Sequence, residues 1–159
     1  MTRRLLPILA LLACAAGAAL AGAMLLTHPD RALASLAGSM PGPYSAEVMA
    51  VVDGDTLQVR VAIWLGQEVV THVRLAGIDT PELRGKCEAE KQRAAAARDL
   101  LRRLVEGHPV FLRDIAYDKY GGRVLATVSD GEDHPLAPRL IAAGLARVYD
   151  GKARQGWCD

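Results

Sequence analysis

Apolar and polar positions change their period several times along this chain of 159 residues. From Thr56 to Ile63, Leu57, Val59, Val61 and Ile63 alternate with Gln58, Arg60 and Ala62. A two-residue period predicts a half-buried strand. Ser45 to Val52 alternates more loosely but is rich in small and β-branched residues, and Asp53-Gly54 between the two runs is a hairpin turn signal. Gly66-Gln67-Glu68 predicts the next turn and Val69 to Ile78 a third strand, so the first three strands form a meander. The period then lengthens. Between Glu88 and Glu106, Ala94, Ala97, Leu100, Leu101, Leu104 and Val105 recur at three- and four-residue steps, which predicts an amphipathic helix. Arg98, Arg102 and Arg103 fall elsewhere on it, and Asp99 is placed to pair with Arg103. Gly107 and Pro109 end the helix. Pro109 to Ala116 and Arg123 to Ser129 read as a fourth and a fifth strand, joined by Asp118 to Gly122 and followed by a turn at Asp130-Gly131. Leu136 to Ala143 reads as a short helix with Pro138 in its first turn and Gly144 at its end. The tail from Gly151 to Asp159 is polar, with Trp157 and Cys158 expected to pin it down.

Three strands, a helix, two strands and a short helix make a mainly β, α+β domain. Five short strands bury little as an open flat sheet, whereas closure removes the edges and creates an interior. The expected fold is a five-stranded barrel of the oligonucleotide-binding (OB) type, with one long and one short helix and no internal repeat.

The N-terminus changes the picture. Arg3 and Arg4 precede an apolar run from Leu5 to Leu26 with no charge, and about 20 such residues suffice to cross a bilayer as a helix. Residues 1–27 are therefore read as a signal peptide or a transmembrane signal-anchor, an N-terminal hydrophobic export or anchor helix. The arginines stay on the cytoplasmic side, so the remainder is expected to be extracytoplasmic, periplasmic or secreted, or anchored to the inner membrane if the segment is retained. Small residues at Ala21-Gly22-Ala23 and Ala32-Leu33-Ala34 offer cleavage sites, and Leu11-Leu12-Ala13-Cys14 loosely resembles a lipidation signal; all three outcomes stay open. Residues 28–43, broken by Pro29, Gly38, Pro41, Gly42 and Pro43, read as a linker. The folded domain is expected at 44–150 and a tethered tail at 151–159.

From Tyr44 onward there are 16 Lys/Arg and 17 Asp/Glu. The domain is near neutral, so attraction of a polyanion has to come from a few local cations. Of three cysteines, Cys14 lies in the export segment. Cys87 and Cys158 remain as an even pair facing an oxidising compartment, and a disulfide between them is expected. It would close a loop of about 70 residues and contribute at most roughly 4 kcal/mol.

Three clusters could carry chemistry: Asp53-Gly54-Asp55-Thr56, Arg74 to Glu82, and Asp118 to Ala126. Singly each is ordinary turn or strand-end chemistry. Together, Asp55 and Asp79 fall near strand ends of one meander, where converging carboxylates repel unless a cation relieves them. Oxygen donors without histidine suit Ca²⁺ or Mg²⁺, and no zinc spacing is present. Glu82 follows Asp79 in a proline-stiffened loop, free to hold a water. Arg74 and Arg123 offer two planar cations that fit phosphate oxygens. A divalent metal, a base and two arginines are the parts needed to cleave a phosphodiester. His72, His108 and His134 are each lone and are read as satisfied or exposed; Trp64 is read as packing.

Asp-Gly-Asp-Thr, then Arg-Leu-x-x-Ile-Asp-Thr-Pro-Glu, then Asp-Lys-Tyr-Gly-Gly-Arg-x-Leu-Ala, with Gly144-Leu145-Ala146 later, resembles the thermonuclease, or staphylococcal nuclease-like, family over about Ser45 to Val148. The resemblance implies that Asp55 and Asp79 ligate Ca²⁺ through their side chains and Thr80 through its carbonyl. It implies Glu82 as general base, Arg74 and Arg123 on the scissile phosphate, and Lys119 and Tyr120 on a neighbouring phosphate. DNA or RNA would be hydrolysed to 3′-phosphate ends by a monomer. This chain departs from the pattern in a second glycine between Tyr120 and Arg123, in the lack of a clear base-stacking aromatic beyond Tyr149, and in its cysteine pair and Trp157 tail. The alternative is a catalytically weak or inactive module that binds nucleic acid or protein. A domain that only holds calcium would leave both arginines unexplained.

Overall fold

Leu57, Val59 and Val61 do share one buried face, and they lie on strand β3 (Thr56–Trp64). The computed structural model describes residues 38–119 and 121–158. The apolar N-terminal run, its cleavage and lipidation positions, Tyr120 and Asp159 lie outside them. Strand β1 (Ser39–Met40) precedes β2 (Tyr44–Val51), and β4 (Gln67–Leu75) and β5 (Ile78–Asp79) follow β3. Helix α1 (Glu88–Val105) leads to β6 (Val110–Tyr117) and β7 (Arg123–Ser129), then to helix α2 (Leu136–Ala142) and β8 (Arg147–Val148).

The strands close on themselves. β2 pairs antiparallel with β3 (Ala46 opposite Val61), and β3 with β4 (Leu57 opposite Val73). β4 runs parallel to β7 (Arg74 opposite Leu125), β7 antiparallel to β6 (Val128 opposite Leu112), and β6 returns to β2 (Leu112 opposite Tyr44). The result is a closed five-stranded barrel with two helices, an α+β fold. Leu57, Val59, Val73, Leu75, Val110 and Leu112 fill its interior, and Leu101, Leu136 and Leu140 of the helices join the same core. Burying each such side chain contributes about 1.5–3 kcal/mol. On α1 the buried apolar residues are Ala94, Ala97, Leu101 and Val105, with Leu100 and Leu104 packed beside them, the face that the three- and four-residue spacing marks out; Glu90 is buried as well.

The differences from the sequence reading are local and physical. The third strand does not run unbroken to Ile78: it ends at Leu75, turns at Ala76-Gly77, and resumes as β5. The turn is held because Ala76 N–H donates to Ala126 O and Tyr149 N–H to Gly77 O, both at 2.9 Å. β5 then pairs with β8 rather than with the barrel (Ile78 opposite Val148, Asp79 opposite Arg147). Gln67 and Glu68 sit in β4 instead of the turn. Within the expected linker, Ser39 and Met40 pair with Ala116 and Ile115 of β6. Asp99 pairs with Arg102, three residues on, at 2.9 Å, rather than with Arg103. Trp64 does not pack: it is 75 % exposed at the β3–β4 tip, beside a still more exposed Leu65. Cys87 and Cys158 are bridged, with Cα atoms 6.0 Å apart. Among the described residues no helix is long and apolar enough to cross a membrane.

Candidate active site

Asp55 owes its position to a turn that presses on α1. A Cβ on Gly54 would lie 2.8 Å from Ala97 Cβ and 3.1 Å from Thr80, so only glycine lets the β2–β3 turn sit this close. Asp53 Oδ1 accepts Asp55 N–H at 3.1 Å, and Thr56 Oγ1 donates to Asp55 Oδ1 at 2.9 Å. Arg74 lies directly opposite Thr56 across the β3–β4 pair. Its Nη1 donates to Asp55 Oδ1 at 2.8 Å, and its Nη2 lies 2.5 Å from Asp55 Oδ2 and 4.0 Å from Asp79 Oδ1. All three side chains are buried. Burial pushes the Asp55 carboxyl up to about 7, against the pull of the Arg74 guanidinium.

Asp79 and Thr80 reach this cluster because β5 turns away from the barrel at Gly77 and docks on β8. Both are buried. Beyond Pro81 the loop is held by Glu90 of α1, whose carboxylate accepts Lys86 N–H at 2.9 Å and Glu82 N–H at 3.4 Å. That leaves the Glu82 side chain facing a cleft of about 420 Å³, shared with Asp53, Arg74, Gly121, Arg123 and Arg154. Arg123, at the start of β7, donates from Nε to Asp118 Oδ2, and Asp118 is buried beneath it. Gly121 and Gly122 both adopt φ of +67°, a conformation that glycine takes at no steric cost. The extra residue is thus absorbed in the turn while Arg123 still lines the cleft. Lys119 is exposed in the same connection. Tyr120, assigned to phosphate contact by resemblance, lies outside the described residues.

The tail adds what the spacing of motifs did not show. Arg154 places Nε 3.0 Å from Asp79 Oδ1 and Nη1 on Glu82 Oε1. Partial burial opposes its charge, but the bond to Glu82 and the fields of Asp79, Glu82 and Asp55 raise its pKa. Trp157 Nε1 donates to Asp79 Oδ2 at 3.1 Å, and the Arg147 guanidinium stacks 3.6 Å above the Trp157 ring. One sequence signal could have found this. A bridge from Cys158 to Cys87, eight residues beyond Asp79, draws the whole tail toward the site.

Asp55, Arg74, Asp79, Thr80, Glu82, Arg123 and Arg154 therefore form one contiguous region. A larger cleft of about 760 Å³, lined by His108, Asp130, His134 and Arg139 among others, contains none of them. The donor set suits a hard divalent cation. Asp79 Oδ1 is buried and, despite its contact with Arg154, accepts no well-aligned hydrogen bond among the described residues. Asp55 supplies a second buried carboxylate, and among the described residues no imidazole or free thiol lines this cleft. Cys87, Glu90 and Cys158 also cluster, but both sulfurs are spent in the disulfide.

A comparison with curated proteins gives no match. The profile of the family described as staphylococcal nuclease homologue matches residues 72–156. The matched segment begins after Asp55 and spans Arg74, Asp79, Thr80, Glu82 and Arg123. It runs past Val148, where the motif resemblance stops, and so takes in Arg154. With more than half of its length covered, the chain belongs to the staphylococcal nuclease homologue family.

Proposed function

We propose that this protein is an extracytoplasmic, calcium-dependent nuclease that hydrolyses phosphodiester bonds of DNA or RNA and leaves 3′-phosphate ends. The observation that carries the reading is that Arg74, Arg123 and Glu82 line one cleft directly beside the buried carboxylates Asp55 and Asp79. Asp55, Asp79 and the Thr80 carbonyl would hold the calcium ion, which supplies Lewis-acid polarisation of the phosphoryl oxygens when bound. The chain's own groups do the rest. Arg74 and Arg123 are fixed by Asp55 and Asp118, which pre-orients two planar cations toward a phosphate and lowers the reorganisation needed as charge develops. Glu82 is solvent-accessible at the mouth of the same cleft, where a carboxylate can orient a water and take its proton. Lys119 and Tyr120 would steady a neighbouring phosphate. The charge-free run from Leu5 to Leu26 after two arginines supports export, with membrane attachment if it is retained, and the Cys87–Cys158 bridge supports an oxidising compartment. A monomer carries the complete set of groups.

The test is digestion of single-stranded DNA, double-stranded DNA and RNA by the purified protein with calcium, magnesium or chelator, with end analysis of the products. Calcium-dependent cleavage is expected, and Glu82→Gln should retain substrate binding while cutting at least about 10²-fold more slowly. Cleavage that survives chelation or the Glu82 change unaltered overturns the mechanism. Binding without cleavage under every metal condition leaves the non-catalytic module as the function.

A further inference from the structure

Trp157 and Arg154 divide the Asp79 carboxylate between them. The indole holds Oδ2 at 3.1 Å, so Oδ1 is the oxygen left for a cation, and Arg154 Nε already lies 3.0 Å from it. The same guanidinium reaches Glu82 through Nη1. The backbone around Arg154 is tied at both ends: upstream β8 pairs with β5, and downstream Trp157 is buried and Cys158 is bridged to Cys87. The side chain is about one-third exposed and lines the cleft that Arg74 and Arg123 share, so it can leave Asp79 without the tail undocking.

We propose that Arg154 is a positioning residue that acts as an internal counter-ion, competing with the divalent cation for Asp79 and so setting the cation affinity of the site. This rests on the reading of Asp79 as a cation ligand. A guanidinium and a hard cation repel each other, and in a buried setting they cannot both hold one carboxylate oxygen at full strength. The observed affinity is then the intrinsic affinity scaled down by the fraction of molecules in which Arg154 has let go. The competition works in both directions. Without a cation, Arg154 neutralises Asp79 and Glu82 and keeps two neighbouring carboxylates from repelling. With a cation, Arg154 is released from Asp79, while its anchored tail keeps it in the cleft beside Glu82.

Isothermal titration with calcium alone, no nucleic acid present, tests this on the full protein and its Arg154→Gln, Arg154→Lys, Asp79→Asn and Lys152→Gln variants. Arg154→Gln should bind calcium about tenfold more tightly than wild type. Arg154→Lys, which keeps the charge, should stay close to wild type, as should Lys152→Gln, whose cation on the same tail pairs with Asp150. Thermal melts add a readout that a merely structural role would not produce. Arg154→Gln should melt below wild type in chelator yet match it in saturating calcium. Calcium affinity that is unchanged or weaker in Arg154→Gln, while wild type binds and Asp79→Asn does not, overturns the role of Arg154 and leaves the nuclease reading standing. Failure of wild type and every variant to bind calcium removes Asp79 as a ligand, and both readings fall together.

Discussion

Arg74 is asked to do two jobs at once. Its paired contacts to Asp55 at 2.8 and 2.5 Å orient the buried carboxylate, and the same guanidinium lines the cleft proposed to receive substrate. A lysine could satisfy the charge but not the fork, since an ammonium is a point donor without bidentate geometry. Arg74→Lys should therefore fold, with a thermal midpoint near wild type, and lose on the order of 10²-fold in kcat, the scale for removing one donor aimed at developing charge. A variant that keeps full kcat would show that Arg74 only supports Asp55. Asp55, Arg74, Asp79, Glu82 and Arg123 could all be named from the sequence because each sits in a short motif at a turn or strand end, where local spacing carries the information. Arg154 could not. Its partner Glu82 is 72 residues away, no motif surrounds it, and its place depends on how Trp157 and the disulfide seat the tail.

The same division runs through the elements. Strands β2 and β3, helix α1 and the barrel closure follow from periodicity, because each buries a face whose residues repeat at the element's own spacing. The break after Leu75 and the β5–β8 pairing do not, because the sequence through Ile78 continues to look like strand and the partner β8 is only two residues long. That small pairing is what carries Asp79 to the site. The loop before α2 makes a separate point about charge. Asp130 accepts the N–H groups of Glu132 and His134 at 3.0 and 2.9 Å and a guanidinium nitrogen of Arg139 at 2.8 Å. Desolvation opposes the charged form, but these hydrogen bonds and the nearby cations outweigh it and hold the carboxyl below its usual value of 3.8. In the unfolded chain Asp130 takes up a proton more readily, so its contribution to stability is fully present above about pH 4 and is lost as pH falls through the lowered native value. Asp130→Asn should unfold at lower urea than wild type at pH 7, and the two midpoints should converge below pH 4. A gap that stays constant between pH 7 and pH 3 would assign the effect to neutral hydrogen bonding alone.

For the molecule as a whole, the balance of charge decides how it meets a polyanion. With 16 cationic and 17 acidic side chains from Tyr44 onward, the domain has no bulk field to draw in nucleic acid. The site also places Asp53, Asp55, Asp79 and Glu82 among three arginines, two of which spend donors on those carboxylates. Affinity has to come from the scissile phosphate that Arg74 and Arg123 would share and the neighbouring phosphate assigned to Lys119 and Tyr120, so it should be modest, and its salt dependence should count those two phosphates. For single strands each neutralised phosphate contributes about −0.7 to the slope of log affinity against log salt, which predicts a slope of about −1.4 for two. Measuring binding of a single-stranded oligonucleotide to Glu82→Gln over a range of sodium chloride concentrations gives that slope without cleavage. A slope near zero would mean that the arginines do not meet phosphate. A slope steeper than about −3 would require a cationic surface away from the cleft to share the strand.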